Sequence, residues 1–211
     1  MSCLFEIIFL DTMKYKKYLL LTVFLLIIIV FLLFFRNNED TLNLPVDIIS
    51  VPVDVYIIKY DDESFSSARD EENINEVFRK VNDLWSQANI HIDVRKIDIV
   101  IANDISYYYD LNLLLSNMVK SGNYDSNSIN AYFAKTLQGP NGIAFPGNRI
   151  MIADRTSVYD YRATSHEIGH VLGLQHVGPI SRLMAMGVNG FDLSKEEINI
   201  ARGNALILFS G

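Results

Sequence analysis

The sequence predicts an α/β domain carried behind one apolar N-terminal helix. Three observations predict it. Residues 18–35 carry no charge, hydrophobic patterns of period two and of period three to four alternate from Val51 onward, and residues 166–176 space their histidines as a helix and a following turn would.

The run from Tyr18 to Phe35, YLLLTVFLLIIIVFLLFF, is long enough as a helix to cross about 27 Å of hydrocarbon. It has no polar face, which excludes a half-buried core helix. Lys14, Lys16 and Lys17 precede it, and Arg36 is soon followed by Glu39 and Asp40. The positive-inside rule therefore keeps the N-terminus in the cytoplasm and exports the chain beyond Phe35. The run ends in Leu32-Leu33-Phe34-Phe35-Arg36 without small residues at a cleavage site, so a retained signal anchor is expected; cleavage would make the protein secreted. Met13 opens the string MKYKKYLLL and reads as an alternative start. The expected organisation is a cytoplasmic segment over 1–17, a single transmembrane signal anchor over 18–35, a linker over 36–50 and one domain over 51–211. The only cysteine, Cys3, precedes the anchor, so the exported part depends on its core and not on disulfides. A formal net charge of −7 disfavours nucleic acid as a partner, and a monomer is expected.

Val51 to Lys59 alternates for part of its length and reads as a first strand, closed by the acidic loop Asp61–Glu63. Residues 70–89 place Ile74, Val77, Phe78, Val81, Leu84, Trp85 and Ala88 at helical steps, with Trp85 a core residue. A second strand follows over Ile90 to Ile101. Its alternation runs through Ile90, Ile92 and Val94, then resumes at Ile97, Ile99 and Ile101, and His91 faces away from Ile90 and Ile92 as an exposed residue. Tyr107 to Leu115 suggests a short helix, and the Asn/Ser-rich stretch to Ser128 a loop. Ile129 to Leu137 reads as a third strand. After Gln138-Gly139-Pro140-Asn141 come Gly142 to Gly147 and then RIMIA over Arg149 to Ala153. Pro146 has no N–H to give a ladder, so the Ile143–Pro146 piece belongs at a sheet edge. Asp154 and Asp160 bracket the approach to the next helix, either as caps or as ligands of a structural Ca²⁺, capping being the reading adopted.

Residues His166 to His176 read HEIGHVLGLQH and hold all but one of the four histidines. On a helix, His166 and His170 project from one face a turn apart and can reach one Zn²⁺. Glu167 beside them can take a proton from a water that the metal activates. Gly173 lets the helix stop in a left-handed residue, and the turn returns His176 as a third ligand. Three protein ligands leave a fourth position open, as catalytic and not structural zinc requires. Beyond the motif, Ser194 and Glu197 form a capping box that starts a final helix through about Leu208, apolar at Ile198, Ala201, Ala205 and Leu208.

The motif HExxHxxGxxH, with Met184 eight residues after His176 in SRLMAMG, resembles that of the metzincin zinc metallopeptidases, in a matrixin-like form. The resemblance implies a zincin catalytic domain: a twisted, mostly parallel sheet with an antiparallel edge strand, the zinc-motif helix and a C-terminal helix. It assigns Met184 to the methionine turn beneath the zinc ligands, ahead of Met186. It also implies that an edge strand before the zinc helix binds the substrate peptide as an added strand, for which Gly142, Ile143, Ala144 and Phe145 are the candidates. The implied activity is endopeptidase, with zinc on His166, His170 and His176 and Glu167 as general base. At the position where astacin-like relatives carry a further tyrosine ligand this chain has Met186, and Val177 follows the third histidine in place of Ser or Asp. Two other readings stand beside it. One is a non-catalytic zinc-binding domain or a peptidase with a single dedicated substrate. The other is a gluzincin drawing its third ligand from Glu196 or Glu197.

Overall fold

Five strands form one sheet in the order β2-β1-β3-β5-β4, parallel throughout except for β4, which pairs antiparallel with β5 at one edge. The strands are β1 (Ile49–Lys59), β2 (Ile90–Ile101), β3 (Ile129–Ala134), β4 (Gly142–Phe145) and β5 (Arg149–Ala153). The helices are α1 (Glu71–Trp85), α2 (Ser106–Tyr109), α3 (Leu111–Lys120), α4 (Asp160–Val171) and α5 (Lys195–Phe209), with a short 3₁₀ turn at Ser86–Ala88. This computed structural model describes residues 47–209 together with Phe24. The expected membrane span over 18–35, most of the linker, Met13 and Cys3 lie outside the described residues, Phe24 apart. Among the described residues no helix is long and apolar enough to cross a membrane.

The mixed α/β architecture with a mostly parallel sheet is the one the sequence predicts. β1, an inner strand between β2 and β3, is buried on both faces, which is why its residues 53–58 form an almost unbroken apolar run. One face packs Val53, Val55, Ile57, Ile129, Ala131 and Phe133 against α1, α4 and α5. The other packs Tyr56, Ile58, Tyr132 and Met151 against α3 through Leu114, Leu115 and Met118. Asp70 caps α1 by accepting from the Asn73 N–H at 2.8 Å, and Trp85 is fully buried at its end.

The break in the alternation of β2 is a β-bulge. Val53 pairs with Val94 and Asp54 with Lys96, so Arg95 is the extra residue. Its guanidinium turns to the buried Asp54 carboxylate, at 2.9 and 2.8 Å, and to Asp125 at 2.7 Å. Burial of Asp54 inside a sheet would be costly without this bidentate partner. Beyond the bulge Ile99 and Ile101 are exposed, since β2 is an edge strand. His91 is exposed on β2 as expected.

Three local expectations are corrected. The third strand stops at Ala134 and not at Leu137, because β1 pairs with it only to Phe133 and β5 only to Ala134. The Asn/Ser-rich stretch after Leu115 continues as helix to Lys120, since Met118 completes the buried face begun by Leu114 and Leu115. Asp154 and Asp160 do not cap α4, whose N-cap is Tyr159. Asp154 instead accepts from the Ser67 hydroxyl at 2.7 Å and the Ala68 N–H at 2.5 Å, while Asp160 pairs with Arg69 at 2.6 Å. The two carboxylates tie the 67–69 segment to the approach to α4.

Candidate metal centre

Helix α4 lies against β4 and β5 and exposes its C-terminal half to a cleft of about 570 Å³. Val171 ends the helix, and Gly173 turns the chain with φ +84, its N–H donating to the His170 carbonyl at 3.0 Å. The Leu174 N–H returns to the Gly169 carbonyl at 2.9 Å, so this left-handed ending satisfies the last free carbonyls of the helix. A Cβ at Gly173 would stand 2.2 Å from Asn204 Nδ2, which donates to the Leu172 carbonyl at 3.0 Å. Helix α5 thus closes over the turn, and the chain beyond it carries His176 back toward α4.

The Nε2 atoms of His166 and His170 lie 3.2 and 3.1 Å from His176 Nε2. The other ring nitrogens fix the tautomers. His166 Nδ1 lies 2.8 Å from the Leu183 carbonyl and His170 Nδ1 2.9 Å from the Leu174 carbonyl, and a carbonyl can only accept. Nδ1 is therefore the protonated nitrogen in both rings, and both Nε2 atoms present lone pairs. Two such lone pairs converge on His176 Nε2. A tetrahedral zinc with bonds of about 2.0–2.1 Å would hold its nitrogens about 3.3–3.4 Å apart, so the donor set fits that ion. These three histidines form the one group among the described residues whose ligand atoms converge in this way. Burial holds His166 at about 4 and lowers His170 as well, so both rings are neutral, the form that ligates.

Glu167 is buried at the back of the cleft, between the histidines and β4. Burial raises its carboxyl to about 7, against the lowering effects of an N–H bond from Ala144 and the charge of Arg162. A Cβ at Gly142 would meet Glu167 Cγ at 2.6 Å, so β4 can approach the carboxyl only where it carries glycine. Gly142, Ile143, Ala144 and Phe145 line the cleft with Glu167, His170 and His176. The outer side of β4 pairs with no strand among the described residues. Glu196 and Glu197 stand apart from the histidines. Glu197 accepts from the Ser194 N–H at 2.7 Å, completing the expected capping box, and pairs with Arg182.

Met184 is fully buried, whereas Met186 is 69% exposed. A Cβ at Gly169 would stand 2.6 Å from Met184 Sδ, so the methionine sits directly against α4 between the two helical histidines. Two features of this floor were not read from the sequence. One is the need for Gly169, which a glycine inside a helix hints at because it costs about 1 kcal/mol relative to alanine. The other is Arg162, one turn before His166 and 3% exposed. Its Nη2 donates to the Leu183 carbonyl at 2.6 Å and also to that of Ala185, and Nε reaches the Gly190 carbonyl at 3.4 Å. Leu183 O thus receives both Arg162 and His166, joining the loop that carries Met184 to the helix that carries His166 and His170.

Neither a protein-family model nor a curated protein matches the sequence. Solved structures do match. A chain in a chaperone–substrate complex is 16% identical with TM-score 0.49, over 76% of this chain and 35% of that one. Metalloproteinase-II from Bacteroides fragilis is 14% identical with TM-score 0.46, over 74% of this chain and 53% of that one. Archaemetzincin from Methanopyrus kandleri is 16% identical with TM-score 0.42, over 75% of this chain and 93% of that one. The chain spans about a third of the first of these structures and about half of the second.

Proposed function

We propose that this protein is a zinc-dependent endopeptidase of the metzincin type, matrixin-like in its motif and methionine turn. The observation that carries the reading is the convergence of three imidazole nitrogens beside a buried carboxyl, at the foot of a cleft whose other wall is a strand edge that pairs with no strand among the described residues. His166, His170 and His176 would hold the zinc. When bound, that ion supplies a Lewis acid that polarises a peptide carbonyl and makes water acidic near neutral pH. Glu167 takes the proton of the attacking water and returns it to the departing amine. Its place in the cleft beside the histidines suits both halves of that exchange. β4 offers its outer backbone to an extended peptide, and Gly142 to Phe145 form that edge, which supports a peptide or protein substrate over a small molecule. Met184 supplies an apolar support under the ligand helix.

The reading includes the expectations that fall on the N-terminal residues. A signal anchor over 18–35 holds the chain in the membrane with residues 1–17 in the cytoplasm, and a linker over 36–50 leads to a monomeric catalytic domain over 51–211 outside the cytoplasm. The hydropathy and flanking charges of residues 14–40 support it.

The test uses the full chain in detergent. Zinc content is measured, and cleavage of a denatured protein mixture is compared between the native sequence and Glu167→Ala. One zinc in each with cleavage only by the native sequence upholds the proposal. One zinc in each with no cleavage by either points to the alternative, a non-catalytic zinc-binding domain or a peptidase with a single dedicated substrate. A folded chain without zinc refutes the reading.

A further inference from the structure

Behind β4, on the face away from the histidines, lies a second pocket of about 400 Å³ between α3 and the β4–β5 turn. Ser116, Val119 and Lys120 line one side, and Phe145, Pro146 and Arg149 the other. Phe145 and Pro146 also line the cleft that holds Glu167, so the two cavities flank the same end of the same strand. The pocket has two basic side chains and no acidic one. Among the described residues neither Lys120 nor Arg149 has a carboxylate partner. Arg149 donates from Nε and Nη2 to the Pro146 carbonyl, at 2.9 and 2.7 Å, which holds its guanidinium at the turn. Lys120 is exposed at the end of α3. Arg149 also lies 6.0 Å from the Tyr124 ring centroid, and two basic side chains without a carboxylate partner among the described residues are notable in a chain of formal net charge −7.

Strand geometry connects this pocket to the cleft. Gly142 and Ala144 face Glu167 and the α4 side, whereas Ile143 and Phe145 pack on the α3 side. Residues directly opposite one another across an antiparallel pair project to the same face. A peptide added to the outer edge of β4 therefore aims the side chain opposite Phe145 toward α3 and its flanking residues toward the histidines.

We propose that this pocket is a substrate subsite for an acidic side chain, read by Lys120 and Arg149, at a position roughly two residues from the scissile bond. It rests on the peptidase reading and names the substrate class of that site: peptides bearing Asp or Glu at that position. Ser116 and Asn112 add neutral hydrogen-bonding groups to the same wall.

The zinc-loaded full chain in detergent is incubated with a pool of random decapeptides, and the cut sites are sequenced by mass spectrometry. Asp and Glu are expected in excess at one position near the cut, by roughly two- to fivefold, as one partly exposed ion pair provides. The excess should fade in about 0.5 M salt. Lys120→Gln should remove most of it and Lys120→Glu should turn it toward Lys and Arg. Lys120 is the residue to change because Arg149 also holds the turn. An absent preference, or one that survives Lys120→Glu, overturns the subsite. If nothing in the pool is cut, the broad endopeptidase reading has failed, and the pocket is judged by binding. Fluorescein-labelled pools with Asp or Asn fixed at one position are compared by anisotropy. Tighter binding of an Asp pool that Lys120→Glu weakens upholds the pocket, and equal binding of the Asp and Asn pools refutes it.

Discussion

Gly169 and Met184 touch so closely that a Cβ on the glycine would stand 2.6 Å from the methionine sulfur. Met184 is fully buried, so its thioether has little room to move aside. Alanine at 169 would gain about 1 kcal/mol of helix propensity and lose about 1–3 kcal/mol to overpacking. Gly169→Ala should therefore lower the melting temperature and weaken zinc binding together. In a Met184→Ala background the same change should become neutral or stabilising. A double-mutant cycle read by thermal melts tests this, and additive effects would show that the contact does not matter.

Metal removal has a distinct signature. With zinc about a thousandfold above its dissociation constant, the folded state should gain about 4 kcal/mol, seen as a rise in melting temperature that a chelator abolishes. His176→Ala should eliminate that rise and leave the metal-free melt nearly unchanged, because His176 is exposed and packs little. A loss of metal-free stability as large as the loss of the zinc effect would contradict this account.

The buried Glu167 carboxyl links stability to pH in the metal-free protein. Its pKa is raised from 4.5 to about 7, so the native state holds its proton more tightly than the unfolded chain does. The stabilisation is complete below about 4.5 and is lost as pH rises through 7. Glu167→Gln should melt higher than the native sequence at pH 8, by at most roughly 3 kcal/mol, with the gap closing toward pH 4.5. Melts of both proteins across that range check it; a gap that widens in acid would reverse the sign.

Gly142→Ala should separate catalysis from metal binding. The added Cβ would stand 2.6 Å from Glu167 Cγ and 3.0 Å from Oε1, displacing the carboxyl while leaving the three histidines alone. The expected result is a fall in kcat of about tenfold or more, for a general base worth about 10²–10⁴, with zinc content unchanged. A variant that cuts as well as the native protein would mean that Glu167 tolerates displacement.

Calcium should leave the melting temperature where it is. Asp154 is occupied by Ser67 and Ala68, and Asp160 by Arg69. A calcium-dependent rise in stability would show that these carboxylates can open to an ion.

Much of this was legible because it is local. The steps of three and four in residues 74–88 make one apolar face whatever surrounds them, and the 3.6-residue turn brings His166 and His170 together without tertiary information. The bulge in β2 was not legible, although the alternation slips between Val94 and Ile97: the Asp54 carboxylate that Arg95 meets is 41 positions away in the chain. Pro146 signalled a sheet edge because a missing N–H is a property of the residue itself. The stop of β3 at Ala134 was not legible, since it is set by where its neighbours end.

By itself, then, the sequence determined the class of fold, the helix and turn that space the three histidines, and the glutamate beside them, because each follows from backbone periodicity over a few residues. Tertiary structure alone decided that Gly169 and Gly142 leave no room for a Cβ, that Arg162 joins the histidine helix α4 to the methionine loop, and that Lys120 and Arg149 share a pocket. Those relations are contacts between segments distant in the chain, where steric exclusion and burial act on neighbours that no local pattern encodes.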